Sequence, residues 1–228
     1  MGNGTTKNPW DCVIPLDKLW AEYKRIIKPN GAIVLFAQTP FDKVLGASNL
    51  EMLKYEWIWQ KEMGTSFLNA NFAPLKEHEN ILVFSNAAAC YVKDKADAMT
   101  YNPQLKKGKP YVAVRRKKQI STNYDYEHMA EAVKTDNKGT RYPTSILPFK
   151  RDKEKLHPTA KPVDLLRYLI RTYTNEGDVV LDNCVGSGTT CVAAVKEKRH
   201  FIGIEMNEEY YKIACERVKL EQMQPSLF

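Results

Sequence analysis

The sequence predicts an α/β fold with helices on both faces of a sheet. Two short, continuous apolar runs, residues 32–37 and 81–84, are typical of buried strands, and residues 178–182 (DVVLD) predict a third. Before, between and after these runs, apolar residues recur at the spacing of amphipathic helices. With 228 residues, 43% of them hydrophobic and 27% charged, the chain is long enough to bury one core without disulfides or a metal.

The other predicted elements follow from local patterns. A first helix, residues 16–27, ends at Pro29-Asn30-Gly31. A helix over residues 41–49 precedes a strand over residues 53–60, in which aromatic and polar residues alternate. Proline is well placed in the first turn of a helix, which favours a helix over residues 162–174. The last predicted elements are a helix near Thr189, a strand at residues 200–205 and a helix capped by Asn207.

Residues 85–155 lack this periodicity and are rich in Lys, Asn, Tyr and Gly. Residues 101–155 contain 14 basic and 6 acidic residues, a net charge of +8 in a chain whose total is +7. Such a basic segment predicts a polyanionic partner, because phosphates attract clustered positive charge. A solvated, Lys-rich loop is the alternative interpretation. The candidates for phosphate contact are Arg115, Arg116, Lys117 and Lys118.

The most informative stretch is VVLDNCVGSGTT, residues 179–190. A buried strand ends in Asp182, the chain turns at Gly186 and Gly188, and a helix begins at once. Glycines allow the main chain to approach a ligand closely. Glu205 follows at the end of the next strand, where a carboxylate can accept hydrogen bonds from both hydroxyls of a ribose. The unit predicts a nucleoside-containing cofactor, with a purely structural glycine turn as the alternative.

Two common nucleotide motifs do not fit this turn. The dinucleotide fingerprint requires a third glycine where Cys191 stands, and the phosphate-binding P-loop requires a lysine after the turn. A cofactor that has a ribose but no pyrophosphate fits better. The sequence therefore favours S-adenosylmethionine (SAM).

Residues 182–190 (DNCVGSGTT) resemble the cofactor motif of the DNA amino-methyltransferases, which methylate adenine N6 or cytosine N4. The family usually has Phe where Cys184 stands. Residues 157–162 (HPTAKP) resemble the family's Lys-Pro segment, which implies that Lys161 and Pro162 lie against the methionine end of the cofactor. The cofactor-binding residues that the resemblance implies are Lys161, Pro162, Asp182, Cys184, Gly186, Ser187, Gly188, Thr189, Thr190, Glu205 and Asn207.

The order of the motifs resembles the permuted, beta-type group of this family, and especially its phage and prophage members. The resemblance implies a Rossmann-like, SAM-dependent methyltransferase fold. Residues 1–84 would form the catalytic half, residues 85–155 a basic target-recognition region, and residues 156–228 the cofactor-binding half. The implied partner is double-stranded DNA, as in restriction-modification systems.

The family's catalytic motif, Asp, Asn or Ser followed by Pro-Pro-Tyr, is absent. It accepts the amino protons of the target base and stacks on that base after it has been flipped out of the duplex. The sequence contains no two adjacent prolines, and residues 4–6 and 10–11 align with the segment that follows the motif. We therefore assign no catalytic residue and expect the motif, with its strand, upstream of Met1. This predicts a gap in the sheet between the strand of residues 178–182 and that of residues 32–37.

The histidines, cysteines and apolar runs of the sequence bear on metal binding, cellular location and membrane contact. The four histidines lack metal-ligand spacing, so no metal is expected. The five scattered cysteines are typical of a reduced, cytoplasmic protein. No apolar run has the length of a membrane span, so no membrane partner is expected.

We expect a site-specific DNA methyltransferase, with adenine N6 favoured over cytosine N4 by the resemblance alone. One alternative is a catalytically silent remnant that binds DNA or cofactor, because the Pro-Pro-Tyr motif is missing. Another is an RNA methyltransferase. The oligomeric state stays open, with a homodimer as one option.

Overall fold

A computed structural model describes residues 13–90, 92–115, 133–153 and 156–223. The chain divides into two compact units, a larger one of residues 1–102 and 144–228 and a smaller one, Pro103–Pro143. The smaller unit is shorter at both ends than the basic region that the sequence delimits, residues 85–155. In the described part of the chain, no helix is long and apolar enough to cross a membrane.

The α-helices and strands described in the larger unit are, in chain order, α1 (Leu16–Ile26), β1 (Ile33–Ala37), α2 (Phe41–Ala47), β2 (Leu53–Thr65), β3 (Lys76–Phe84), β8 (Ile146–Pro148), α3 (Val163–Tyr173), β9 (Val179–Asp182), α4 (Thr189–Lys196), β10 (His200–Gly203) and α5 (Glu208–Met223). Those of the smaller unit are β4 (Lys106–Lys107), β5 (Tyr111–Arg115), β6 (Val133–Asn137) and β7 (Thr140–Arg141).

The larger unit contains a four-stranded sheet in the order β1-β3-β2-β8. β3 is antiparallel to both β1 and β2, and β8 is parallel to β2. Ile81, Val83 and Phe84 of β3 are fully buried, as their continuous apolar run predicts. Trp57 and Trp59 of β2 are buried on one face, which confirms the predicted alternation.

β2 and β3 are longer than the sequence predicts. β2 extends to Thr65 and β3 begins at Lys76, whereas the apolar patterns indicate strands only over residues 53–60 and 81–84. The added residues are mostly polar, and two of them, Glu79 and Asn80, are buried. The pairing continues to Gln60 with His78 and, after a register shift, to Thr65 with Lys76. Because backbone pairing does not require apolar side chains, the pattern of hydrophobic residues misses this arm.

The predicted gap in the sheet is present in the described part of the chain. β9 and β10 form a separate parallel pair, and no described strand pairs with the free edge of either β9 or β1. α1 and the residues just after it, which lead into β1, contact both ends of β9. The Tyr23 hydroxyl donates to Asn183 Oδ1 at 3.0 Å, and Lys28 Nζ lies 2.8 Å from Asp178 Oδ1. Since Asp178 precedes β9 and Asn183 follows it, α1 is antiparallel to β9.

The direction of β1 follows from α1. The chain turns at residues 28–31, where the Gly31 N–H donates to the Lys28 carbonyl, and β1 packs back against α1 in one core cluster. Since α1 is antiparallel to β9, β1 runs in the same direction as β9. The carboxyl ends of both strands therefore lie at one edge of the fold, which we call the carboxyl edge. In open α/β folds this edge is where ligands bind.

The described residues cover only one face of the β9–β10 pair. Val180 and Phe201 pack against the core that α3 and α4 supply. On the opposite face, Val179 and Ile202 are each 53% exposed. The sequence predicts a buried strand at residues 178–182, because residues 179–181 are apolar, but these residues do not indicate which elements cover them.

The smaller unit consists of two short antiparallel pairs, β4 with β7 and β5 with β6. Arg141 stabilises it: its guanidinium donates to the Lys109 carbonyl and to Asn137 Oδ1, and it lies 4.6 Å from the centroid of the Tyr111 ring. This arginine is therefore engaged within the unit.

Candidate functional site

Asp182 joins the two ends of the glycine turn. Its Oδ1 accepts a hydrogen bond from the Cys184 N–H at 3.0 Å, and its Oδ2 accepts one from the Thr190 hydroxyl at 2.5 Å. The carboxylate thus attaches the end of β9 to the first turn of α4. Its role here is to fix the shape of the turn.

Both glycines of the turn have left-handed backbone angles, with φ of 53° at Gly186 and 83° at Gly188. A Cβ at Gly188 would lie 2.8 Å from both Cα and Cβ of Ala214, so glycine is also required for α5 to approach. The three atoms nearest to a Cβ at Gly186 would all belong to the His157 ring, the first of them at 3.5 Å. The turn therefore presents bare backbone toward His157.

Glu205 lies at the carboxyl edge beside this turn. Its Oε2 accepts from the Gly186 N–H at 2.8 Å and its Oε1 from the Asn207 N–H at 2.9 Å. The side chain is half-buried and faces the glycine turn. Each carboxylate oxygen has a second lone pair, so Glu205 keeps the capacity to accept hydrogen bonds from ligand hydroxyls.

Asn207 begins the last helix, as the sequence predicts. Its Oδ1 accepts hydrogen bonds from the backbone N–H groups of Glu209 at 3.0 Å and Tyr210 at 3.1 Å. This is the geometry of a helix N-cap. The side chain is thus committed to α5.

Ser187 and Thr189 face α5. Arg217 Nη1 donates to the Ser187 carbonyl at 2.6 Å and contacts Ser187 Oγ at 3.3 Å and Thr189 Oγ1 at 3.2 Å. Both residues are buried. Any contact that they make with a cofactor would therefore involve their backbone.

His157 is a site residue that the sequence analysis did not assign. Its ring lies against Gly186, and its centroid is 4.3 Å from that of Tyr210 in an edge-on contact. Burial lowers the pKa of His157, while the charge of Glu205 opposes this shift. His157 is the first residue of the HPTAKP segment, and this position is the sequence signal that identifies it as a candidate site residue.

Lys161 lies at the carboxyl end of β1. Its Nζ is 3.2 Å from Glu79 Oε2 and 5.4 Å from the centroid of the Phe36 ring. Pro162 is fully buried at the start of α3. The segment from His157 to Lys161 thus connects the glycine turn with β1 and β3.

The predicted phosphate contacts stay untested. Arg115 ends β5 and its side chain is not described, and Arg116, Lys117 and Lys118 lie outside the described residues. Exposed lysines do occur in the described part of the smaller unit, among them Lys134.

Within the described ranges, no group of three or more His, Cys, Asp or Glu side chains could hold a metal ion. The described cysteines are all free thiols. Cys191 is buried in α4, and burial raises its pKa to about 11. Cys184 is exposed beside the glycine turn.

Comparison with known families decides the assignment. Residues 11–216 match the family model for N6/N4 methyltransferases, described as DNA methylase. The chain belongs to this family. Among the chain's relatives, the DNA adenine methyltransferase YhdJ of Escherichia coli (strain K12) is 28% identical over 206 residues, which cover 87% of this chain and 64% of YhdJ. The chain thus spans less than two thirds of that relative.

Two solved structures share the fold of this chain. M1.HpyAVI in complex with SAM has a TM-score of 0.58 at 24% identity, covering 88% of this chain and 80% of that one. The cytosine-N4-specific PvuII DNA methyltransferase has a TM-score of 0.62 at 16% identity, covering 93% and 74%. The chain therefore has the fold of these methyltransferases.

Proposed function

We propose that this chain is a SAM-dependent, site-specific DNA methyltransferase that modifies an exocyclic amino group, adenine N6 in preference to cytosine N4. One observation carries the proposal: the Glu205 carboxylate and the bare backbone of Gly186 meet at the carboxyl edge. The name of YhdJ supports adenine as the target. That of the PvuII enzyme keeps cytosine N4 open.

The residues present fit SAM. Glu205 supplies acceptors for ribose hydroxyls, and the turn at Gly186 lets a ligand reach the main chain. Lys161 supplies a cation for the carboxylate at the amino-acid end. When bound, SAM would supply a methyl group to the amino nitrogen of the base: its bond from that methyl to the sulfonium sulfur would break, S-adenosylhomocysteine would leave, and the nitrogen would give up one proton.

The proposed substrate is duplex DNA. The smaller unit, residues 103–143, contains ten basic and four acidic residues, a charge that favours contact with phosphates. The amino group of a paired base lies inside the duplex, so the enzyme must flip its target base out. The free cysteines support a cytoplasmic location.

A second candidate function, binding of DNA or cofactor without transfer, is favoured by two observations. The 228 residues contain no Pro-Pro-Tyr segment, and β1 and β9 leave a gap between them in the described part of the chain. We propose that transfer requires a strand carrying this segment to occupy the gap. The strand would place the acceptors of the amino protons beside the glycine turn.

Transfer of a radioactive methyl group from SAM tests the proposal. The substrates are duplex DNA, the matching RNA and free nucleosides, and the proteins are this chain and one extended at its N-terminus by a strand that carries Asp-Pro-Pro-Tyr. Methylation of duplex DNA by either protein supports the enzyme, and mass spectrometry of the nucleosides then separates adenine from cytosine. If SAM or DNA binds but neither protein transfers a methyl group, the result supports the second candidate. Transfer to RNA alone would contradict both.

A further inference from the structure

A buried carboxylate of β3 joins the four-stranded sheet to the segment before α3. The Glu79 side chain is 9% exposed, with Oε1 2.7 Å from Lys61 Nζ and Oε2 3.2 Å from Lys161 Nζ. The Lys61 side chain is also 9% exposed, and that of Lys161 is 21% exposed. Three charged groups therefore meet where little water reaches them. We call them the Glu79 cluster.

Burying the three charged groups of the Glu79 cluster gives the folded state little net stability. Taking ions out of water costs free energy that their attraction often only balances, and apolar residues in such places are often as stabilising. Burial by itself would raise the pKa of Glu79, but the charges and hydrogen bonds of Lys161 and Lys61 outweigh it and hold the pKa of this carboxyl below its ordinary value. Glu79 is thus ionised at neutral pH, and two ammonium groups face one carboxylate. The excess positive charge indicates a task beyond stability.

Lys161 is held from several directions. Its ammonium donates to the Thr159 carbonyl at 3.0 Å and to Glu79, and it lies over the ring of Phe36. An ammonium group has three N–H donors, so one remains for a ligand. Glu79 is the charged group among these contacts, and it comes from a different element of the fold. It therefore fixes where the ammonium of Lys161 stands at the carboxyl edge.

We propose that Glu79 is a positioning residue for cofactor binding, which holds Lys161 Nζ where the amino-acid end of SAM binds. It acts through Lys161 and does not itself touch the ligand. This inference rests on the proposed function, because it takes SAM as the ligand of the carboxyl edge. It adds a residue from the catalytic half of the chain to the cofactor site.

Calorimetric titration with SAM tests this role in a double-mutant cycle of Glu79→Gln and Lys161→Gln. Loss of a charged hydrogen-bond partner would free the ammonium of Lys161, so Glu79→Gln should weaken SAM binding about tenfold or more in the wild-type background. In the Lys161→Gln background the same change should alter affinity less than about twofold. A similar loss in both backgrounds, or no loss in the wild type, would overturn the proposal.

A second variant separates positioning from folding. Glu79→Gln leaves the ammonium groups of Lys61 and Lys161 without their shared carboxylate, whereas Glu79→Gln combined with Lys61→Gln keeps the net charge of the cluster at that of the wild type. The combined variant should fold and still show the loss of affinity. If it folds and binds SAM as tightly as the wild type, Glu79 has no positioning role.

Glu62→Gln is the matched control, since Glu62 lies on the neighbouring strand β2, is 31% exposed and pairs with Arg151. Its affinity for SAM should equal that of the wild type, and a tenfold loss there would remove the specificity claimed for Glu79. If the wild-type chain binds no SAM at all, the proposed function fails together with this inference. If it binds and only the Glu79 variants behave contrary to expectation, the inference fails alone.

Discussion

Gly188→Ala should destabilise the chain more than the same substitution at an ordinary glycine with left-handed backbone angles. At φ of 83° an L-residue is strained, which costs about 1–2 kcal/mol. The new Cβ would also lie 2.8 Å from Cα and Cβ of Ala214. The Cα is backbone and cannot rotate away, so α5 must shift, and overpacking of this kind costs about 1–3 kcal/mol. Alanine recovers about 0.4–1 kcal/mol by restricting the unfolded chain, which leaves a loss of about 2–4 kcal/mol.

Gly177→Ala provides the matched control. Gly177 has nearly the same backbone angle, φ of 81°, but no heavy atom lies within 4 Å of the place that its Cβ would take. It should therefore show the backbone strain without the overpacking. Urea unfolding followed by tryptophan fluorescence measures both variants, and the free energy of unfolding should differ between them by about 1–3 kcal/mol. Equal losses would show that contact with α5 does not dictate the glycine at position 188.

Three further predictions concern the same region. Asn207→Ala removes the N-cap of α5 and should lower the free energy of unfolding by about 1 kcal/mol, measured by urea unfolding; an unchanged value would contradict the capping role. Tyr23→Phe deletes the hydroxyl that donates to Asn183 and should cost about 0.5–1.5 kcal/mol in the same assay, with no change arguing against a bridge from α1 to the turn. The lowered pKa of His157 means that the unfolded chain binds its proton more readily, so stability should fall as pH drops below the ordinary value of 6.5. His157→Gln should flatten this part of the pH profile of thermal unfolding, and an unaltered profile would contradict the assignment.

Local patterns in the sequence predict the core and the glycine turn. The run at residues 81–84 identifies the buried part of β3, because strands covered on both sides need apolar residues at every position. Asn207 is recognised as a cap because capping depends on a side chain and the N–H groups two and three residues later. Such signals lie within a few residues of one another, so a single sequence contains them.

Other features depend on contacts between distant parts of the chain. Glu79 gains its two lysines only when β2 and the segment before α3 reach β3, and nothing around position 79 signals that meeting. His157 touches Gly186, which is far from it in the sequence, and Ser187 faces Arg217 of α5. The sequence therefore identifies the cofactor turn but not the side chains that support it from other elements.

A crystal structure of the chain with bound SAM most directly tests whether the turn after β9 is the cofactor site. We predict that the ribose hydroxyls lie within hydrogen-bond distance of the Glu205 carboxylate and that the nucleoside rests against the backbone around Gly186. A ligand bound at another place, or a Glu205 side chain that turns away from it, would contradict the proposed site.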